Sequence, residues 1–311
     1  MKVLVTGGAG FIGSFLCEKL LDEGHDVICL DNLSTSKKSN INYLLKKPKF
    51  KFLEHDVTKP IDLNADIIFH LASPASPVDY QKLPIETSMA NSIGTYNMLQ
   101  LTKKNNARLL LASTSEVYGD PIEHPQKETY WGNVNPLGIR SCYDESKRFA
   151  EALAMTFYRK HNLDVRIARI FNTFGPRMRL DDGRAVPNFI VQSLTRKPIT
   201  VYGNGKQTRS FCYISDMVDG LMKLMVKDNL SGEVVNLGNP EERTVLDVAI
   251  LIKDMTNSNS EITFKPLPKD DPIRRKPDIT KARKILGWEP SAHFKSGLGK
   301  TIEWFRGELK K

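Results

Sequence analysis

Short apolar runs recur along the chain, separated by longer stretches in which apolar residues return every three or four positions. Lys2 to Thr6 reads as a short buried parallel strand, followed by an apolar helical run that ends at Leu21. Further strands are predicted at Asp26–Leu30, Phe50–Glu54, Ile67–Leu71, Arg108–Ala112, Val165–Ile170 and Val234–Leu237. Between them, Ile85–Lys103 and Tyr143–Tyr158 carry helical apolar faces, the second with Phe149, Leu153 and Phe157 at four-residue steps. Strands alternating with helices in this way predict an α/β chain built on a doubly wound parallel sheet.

After Gly175-Pro176 the pattern changes to a loop-rich stretch containing Asp181-Asp182-Gly183-Arg184, and later to the proline-rich segment Pro266–Pro277. These stretches predict a smaller substrate-binding domain interleaved with the first. The division is 1–173 with 211–238 for the nucleotide-binding domain, and 174–210 with 239–311 for the smaller one. No internal repeat or low-complexity tract interrupts either part.

The first strand leads into Gly7-Gly8-Ala9-Gly10-Phe11-Ile12-Gly13, which opens the first helix. Gly7, Gly10 and Gly13 suit a tight turn, a close backbone approach to a pyrophosphate and helix-on-strand packing, and the helix N-terminus attracts the anion. The spacing is G-x-x-G-x-x-G, the variant typical of short-chain dehydrogenases. The second strand ends in Asp31, where a carboxylate can accept from both adenosine ribose hydroxyls and repel a 2′-phosphate. Strand, turn, helix, strand and terminal acid in this order predict a Rossmann domain that binds NAD in preference to NADP.

The remaining composition narrows the setting. The net charge is +9, but the lysines are scattered and the clusters short, which favours an anionic small substrate over nucleic acid. No apolar run reaches the roughly 18 residues of a membrane span and no leader is read before the first strand, so the expected compartment is the cytoplasm. Cys17, Cys29, Cys142 and Cys212 lack metal or redox spacing, so reduced structural thiols and no metal site are expected.

Candidate chemistry sits beyond the Arg108–Ala112 strand and at the start of the Tyr143 helix. Ser113, Thr114, Ser115 and Glu116 follow that strand at the sheet edge where open α/β folds bind ligands. Tyr143 and Lys147 share one helix face, so an ammonium and a nicotinamide cation could stabilise a phenolate able to take a hydroxyl proton. Thr114 could hydrogen-bond the reacting hydroxyl, and Glu116 could act as a base or orient a group one carbon away. A lone Tyr-x-x-x-Lys is common on helices; its place downstream of a dinucleotide motif gives it weight.

The residues taken together resemble the extended short-chain dehydrogenase/reductase family, and within it the UDP-glucuronate decarboxylases, or UDP-xylose synthases. The similarity runs from Met1 to about Pro290 and is densest in His70–Pro77, Leu110–Gly119, Tyr130-Trp131-Gly132, Arg169–Met178, Val201-Tyr202-Gly203 with Gln207–Phe211, and Arg275–Ile279. The resemblance implies oxidation at C4 of the sugar with Tyr143 as base, loss of carbon dioxide from a 4-keto intermediate, protonation at C5 and return of the hydride. It places Arg275 near the sugar carboxylate, chosen over Arg274 by family register alone. It further implies substrate contacts from Tyr80, Asn172, Arg184, Tyr202, Gln207 and Arg209, and cofactor contacts from Phe11, Ile12, Asn32, Asp56, Val57, Leu71, Ala72 and Ser73. The family also packs the two apolar helices into a two-fold four-helix interface, which implies a homodimer. The rivals are a nucleotide-sugar 4,6-dehydratase, which carries an aspartate where this chain has Ser115, and a 4-epimerase, which needs no group poised at C5. From another class, a non-catalytic NAD sensor or RNA-binding module is disfavoured because Tyr143, Lys147, Thr114 and Glu116 are all present.

Overall fold

The computed structural model describes all 311 residues, Met1–Lys311. In chain order, β1 (Lys2–Thr6), α1 (Phe11–Asp22), β2 (Asp26–Asp31), β3 (Phe50–Glu54) and β4 (Ile67–His70) come first. α2 (Pro77–Lys82), α3 (Pro84–Met89) and α4 (Thr95–Asn105) follow, the last two joined by the π turn Ala90–Gly94. Next are β5 (Arg108–Thr114), the 3-10 turn Ser115–Tyr118, α5 (Ser141–His161), β6 (Val165–Ile170) and β7 (Thr173–Phe174). α6 (Ala185–Leu194), β8 (Ile199–Tyr202), β9 (Thr208–Ser210), β10 (Cys212–Tyr213), α7 (Ile214–Val226) and β11 (Val234–Leu237) lead to the last part. It comprises β12 (Glu242–Thr244), α8 (Val245–Met255), β13 (Ile262–Lys265), β14 (Arg274–Arg275), α9 (Thr280–Leu286) and α10 (Phe294–Glu308).

Seven strands form one parallel sheet in the order β11-β6-β5-β4-β1-β2-β3. This is the doubly wound sheet that the alternating pattern predicts. The strand order reverses at β1, which opens a crevice beyond the carboxyl ends of β1 and β4. Side-chain alternation explains why both faces are covered: Val3 and Val5 pack with Leu16, Leu20, Met217 and Leu221 on one side, while Leu4 packs with Met98, Leu99, Ala150 and Ala154 on the other. Each such buried aliphatic side chain contributes roughly 1.5–3 kcal/mol relative to exposure.

A third core, built from Phe189, Ile190, Val248, Ile252, Leu298 and Phe305, holds the smaller lobe. The stretch around α9 departs from the sequence division, which gives all of 239–311 to that lobe. Ile279, Ala282, Leu286 and Trp288 pack instead into the core beneath the large sheet. Trp288 is fully buried, and its indole Nε1 donates to the Asp216 carbonyl at 3.0 Å. β5 also runs two residues past the predicted end, so Ser113 and Thr114 belong to the strand and only Ser115 and Glu116 lie in the turn.

At the crevice, His70 ties three elements together. Its Nδ1 lies 2.8 Å from Thr6 Oγ1 and its Nε2 lies 3.2 Å from Thr95 Oγ1, while Thr6 Oγ1 accepts from the Ala72 amide. That pattern assigns a neutral ring with Thr6 donating to Nδ1 and Nε2–H donating to Thr95. Burial, with the nearby Lys147 charge, pulls the His70 pKa down to about 3. Between pH 6.5 and 4.5 the unfolded chain therefore takes up a proton that the folded chain refuses, and stability falls as pH falls, by up to about 1.4 kcal/mol per pH unit. Urea unfolding of the wild type and His70→Gln at pH 6.5, 5.5 and 4.5 is expected to show a flatter pH slope in the variant; parallel slopes would refute the assignment.

Candidate active site

A cleft of about 540 Å³ opens at the crevice and is lined from both lobes. Its floor is the glycine turn. Gly7 has φ +69°, and a Cβ on Gly13 would stand 2.2 Å from the Gly7 carbonyl oxygen, so the turn closes against the helix only without side chains. Gly10 caps α1 without any side-chain acceptor, which leaves first-turn amides at Phe11, Ile12 and Gly13 free to receive an anion. All these residues line the cleft, and the bare cradle fits a dinucleotide pyrophosphate.

Asp31 ends β2 beside this turn. One of its oxygens accepts from the Ala9 amide at 3.0 Å, and the other from the Leu33 amide and the Ser36 hydroxyl. The carboxylate thus braces the glycine turn and still presents a free lone pair to the cleft, which suits a ribose hydroxyl. Asn32 donates to Asp56 at 3.3 Å, and Asp56 also accepts from the Thr58 amide and hydroxyl, so it forms its turn as well as lining the cleft. Val57, Leu71, Ala72 and Ser73 complete this half of the wall.

Across the cleft, the end of β5 meets the start of α5. Thr114, Tyr143 and Lys147 are all buried, and Lys147 Nζ lies 5.8 Å from the centre of the Tyr143 ring. Lys147 also donates to the Ala112 carbonyl at 2.9 Å. Burial brings its pKa down to about 8, opposed by Glu151. Burial pushes the Tyr143 phenol up, while its contact with the Thr114 hydroxyl pulls the other way. Without a further cation, then, the phenol keeps its proton at neutral pH.

Glu116 is the most constrained charge in the cleft. Arg275 pairs with one carboxylate oxygen and Arg140 with the other, at 2.5 Å for the latter. Burial favours the neutral acid, but Arg275 and Arg140 more than offset it and hold the carboxyl at about 2. An anion of such low basicity can orient neighbours, but it removes protons poorly. Arg275 itself does not line the cleft surface: its other donors reach the Ser115 hydroxyl at 3.3 Å and the Gly119 carbonyl at 2.6 Å from behind the wall. Arg274 is exposed, so only Arg275 of the pair points inward.

The other expected substrate contacts come together on the far side. Tyr80 stacks on Tyr143 with ring centres 5.0 Å apart, and its hydroxyl is buried without a partner. Arg184 is paired bidentately with Asp182, Arg209 donates to Asp271 at 2.8 Å, and Gln207 donates to the Tyr202 carbonyl. Asn172 and Tyr202 sit on the cleft wall and rim.

Several lining residues escaped the sequence reading. Arg140 stands three residues before Tyr143, one helical turn away, a spacing that could have revealed it. Asn40 braces the glycine turn through the Ala9 carbonyl, Ser36 donates to Asp31, and Arg179 reaches from the smaller lobe to the Thr35 carbonyl at 2.7 Å. Asp271, in the proline-rich segment, joins Arg140 and Arg209; no spacing signal marks it.

The chain is similar to several known proteins. Residues 4–301 match the family model described as GDP-mannose 4,6 dehydratase. The chain is 54% identical over 309 residues to UDP-glucuronic acid decarboxylase 1 of Arabidopsis thaliana, covering 99% of this chain and 71% of that protein. Among solved structures, the UDP-glucuronic acid 4-epimerase of Bacillus cereus in complex with UDP-glucuronic acid and NAD superposes with a TM-score of 0.89 at 29% identity, covering 99% and 100% of the two chains. A dTDP-glucose 4,6-dehydratase from Streptomyces venezuelae with NAD bound gives 0.92 at 26% identity, covering 100% and 98%.

The bare turn carries a direct test. Gly13→Ala drives a methyl into the Gly7 carbonyl and Gly8 Cα, neither of which is a flexible side-chain end. NAD affinity measured by calorimetry is expected to fall at least about tenfold, with a loss of roughly 1–3 kcal/mol in stability. Unchanged affinity would place the dinucleotide elsewhere.

Proposed function

We propose, for a chain that belongs to the extended short-chain dehydrogenase/reductase family of the GDP-mannose 4,6-dehydratases and UDP-glucuronic acid decarboxylases, that it is the decarboxylase. It converts UDP-glucuronate to UDP-xylose and carbon dioxide through a 4-keto intermediate. The observation that carries this reading is the cluster of Ser115, Glu116 and Arg275 beside Tyr143, in a chain 54% identical to a decarboxylase.

NAD, which the Gly7–Gly13 turn and Asp31 would hold, would supply a hydride acceptor for C4 that is restored at the end of the cycle. Tyr143 takes the C4 hydroxyl proton, with Thr114 hydrogen-bonded to the same oxygen and the Lys147 ammonium, charged below about pH 8, favouring the phenolate. The resulting β-keto acid releases carbon dioxide: the electron pair of the C5–C6 bond passes into an enolate on the C4 oxygen, beside Tyr143 and Thr114. C5 then takes a proton that originates in solvent, one for each carbon dioxide released, and the C4 alcohol is re-formed with its proton from Tyr143. Glu116 acts at C5, and Arg275, from behind the cleft wall, fixes the carboxylate in place as the carboxyl group departs. Ser115 offers no strong acid, which fits a substrate with no hydroxyl to expel at C6.

Arg209 and Arg184 serve the diphosphate, with Tyr80, Asn172, Tyr202 and Gln207 around sugar and base. The nucleotide lobe comprises 1–173 and 211–238 together with the α9 stretch, and the remainder forms the nucleotide-sugar lobe. Four unpaired cysteines accord with a reducing, cytoplasmic setting. Exposed Ile85, Met89, Ile93, Tyr96 and Phe149 on the packed helices α3 to α5 supply the apolar face of a homodimer.

Incubation with UDP-glucuronate and NAD is expected to yield carbon dioxide and UDP-xylose in equal amounts with no net NADH. Consumption of UDP-glucose or dTDP-glucose instead, or an epimerised uronate without carbon dioxide, would overturn the reading. Tyr143→Phe is expected to cut C4 oxidation at least about a hundredfold. Arg275→Ala should spare oxidation and slow carbon dioxide loss at least about tenfold. Light scattering should give twice the 35.1 kDa chain mass, falling to one chain in Met89→Asp with Phe149→Asp; a monomeric wild type would remove the dimer.

A further inference from the structure

We propose that Arg140 is a positioning residue for the carbon–carbon cleavage, holding the second oxygen of Glu116 so that the Glu116–Arg275 pair is presented to C5 in one orientation. The inference rests on the decarboxylase reading above. Arg140 begins α5, where its carbonyl accepts the amides of Tyr143 and Asp144. The helix that presents the base thus also sets the guanidinium. The side chain is over nine-tenths buried yet lines the cleft. Its guanidinium lies 5.9 Å from the centre of the Tyr80 ring, which in turn stacks on Tyr143.

Its donors are divided between elements. One end pairs with Glu116 at 2.5 Å, another with Asp271 at 3.2 Å, and Nε is buried without a hydrogen-bond partner, 4.0 Å from Asp144. A buried guanidinium is costly to desolvate and persists only where carboxylates repay it. Arg275 reaches only one Glu116 oxygen, with its other contacts on Ser115 and Gly119 and its Nε unpartnered. Without Arg140, the free Glu116 oxygen would face Asp144 across the site, and the carboxylate could swing about its remaining contact. The groups around Glu116 are Arg140, Asp144 and Tyr143 from α5, Arg275 from β14, Arg209 from β9 and Tyr80 from α2. Of these, only Arg140 and Arg275 pair with the carboxylate directly.

The test separates the two halves of the reaction in Arg140→Gln and Arg140→Lys, each checked by thermal melting and NAD binding. In single turnovers with UDP-glucuronate, the absorbance of reduced cofactor reports C4 oxidation and trapped carbon dioxide reports cleavage. Arg140→Gln is expected to leave oxidation and KM within about threefold while slowing cleavage at least about tenfold, and Arg140→Lys to recover part of the loss. In a Glu116→Gln background, Arg140→Gln should cost less than about threefold more. The acidic limb of the cleavage rate should also move to higher pH in Arg140→Gln, as Glu116 loses a cation and holds its proton more tightly. Equal losses in both steps, full additivity with Glu116→Gln, or cleavage at the wild-type rate would each overturn the assignment. Should Arg140→Gln fail to fold, the same comparisons apply to Arg140→Lys. A wild type that releases no carbon dioxide defeats the decarboxylase reading and this assignment with it; an active wild type with an indifferent variant defeats the assignment alone.

Discussion

Glu116 lies between two guanidinium groups that arrive from opposite sides of the molecule, Arg140 at the start of α5 and Arg275 on β14 of the smaller lobe. Each ion taken out of water costs several kcal/mol, and only close pairing repays it. The pairing therefore acts as a strut between lobes as well as a feature of the site. β14 is held to β9 in parallel register, with Arg275 opposite Arg209, and Gln126 bridges to Pro277 just beyond. Loss of Glu116 would leave Arg275 without a carboxylate partner in a buried setting, at a cost of roughly 3–5 kcal/mol.

The same low-dielectric setting separates the acids and bases of the cleft. Glu116 stays ionised to about 2 because two cations face it, whereas burial and the Glu116 charge itself lift Asp144 to about 8. Lys147, with one carboxylate nearby and full burial, falls to about 8. Neighbouring groups of one chemical type are thus pushed apart by their surroundings, which is how a site divides proton-holding from charge-holding roles. Tyr143 alone lacks a close cation able to offset its burial, so its phenolate becomes favourable only when positive charge is brought to its face.

The parts of this architecture written in local sequence were legible there. β1, the glycine turn, β2 and Asp31 follow from period, glycine spacing and a terminal acid, and the Tyr143–Lys147 pair from helical spacing. Three things were not. The end of β5 lies two residues later because Ser113 and Thr114 continue the ladder with Arg169 and Ile170 of β6, partners 56 residues away. The α9 stretch returns to the large sheet because Trp288 finds a space left open by Gly220, a fit between distant residues. Arg140 stands one turn before Tyr143, but its pairing with Glu116, like that of Asp271 with Arg209, joins residues that no spacing rule links.

One backbone serves decarboxylases, dehydratases and epimerases, as a TM-score of 0.92 at 26% identity illustrates, so the outcome is decided by a few side chains. Position 115 is decisive in a way that goes beyond acid strength. The Ser115 hydroxyl accepts from the same Arg275 nitrogen that pairs with Glu116. A carboxylate at 115 would compete for that nitrogen with a full negative charge and draw Arg275 away from Glu116. An acid at 115 and an Arg275 held on Glu116 therefore exclude one another within this geometry. A neutral serine leaves that nitrogen to the Glu116–Arg275 pair, on which the proposed cleavage rests.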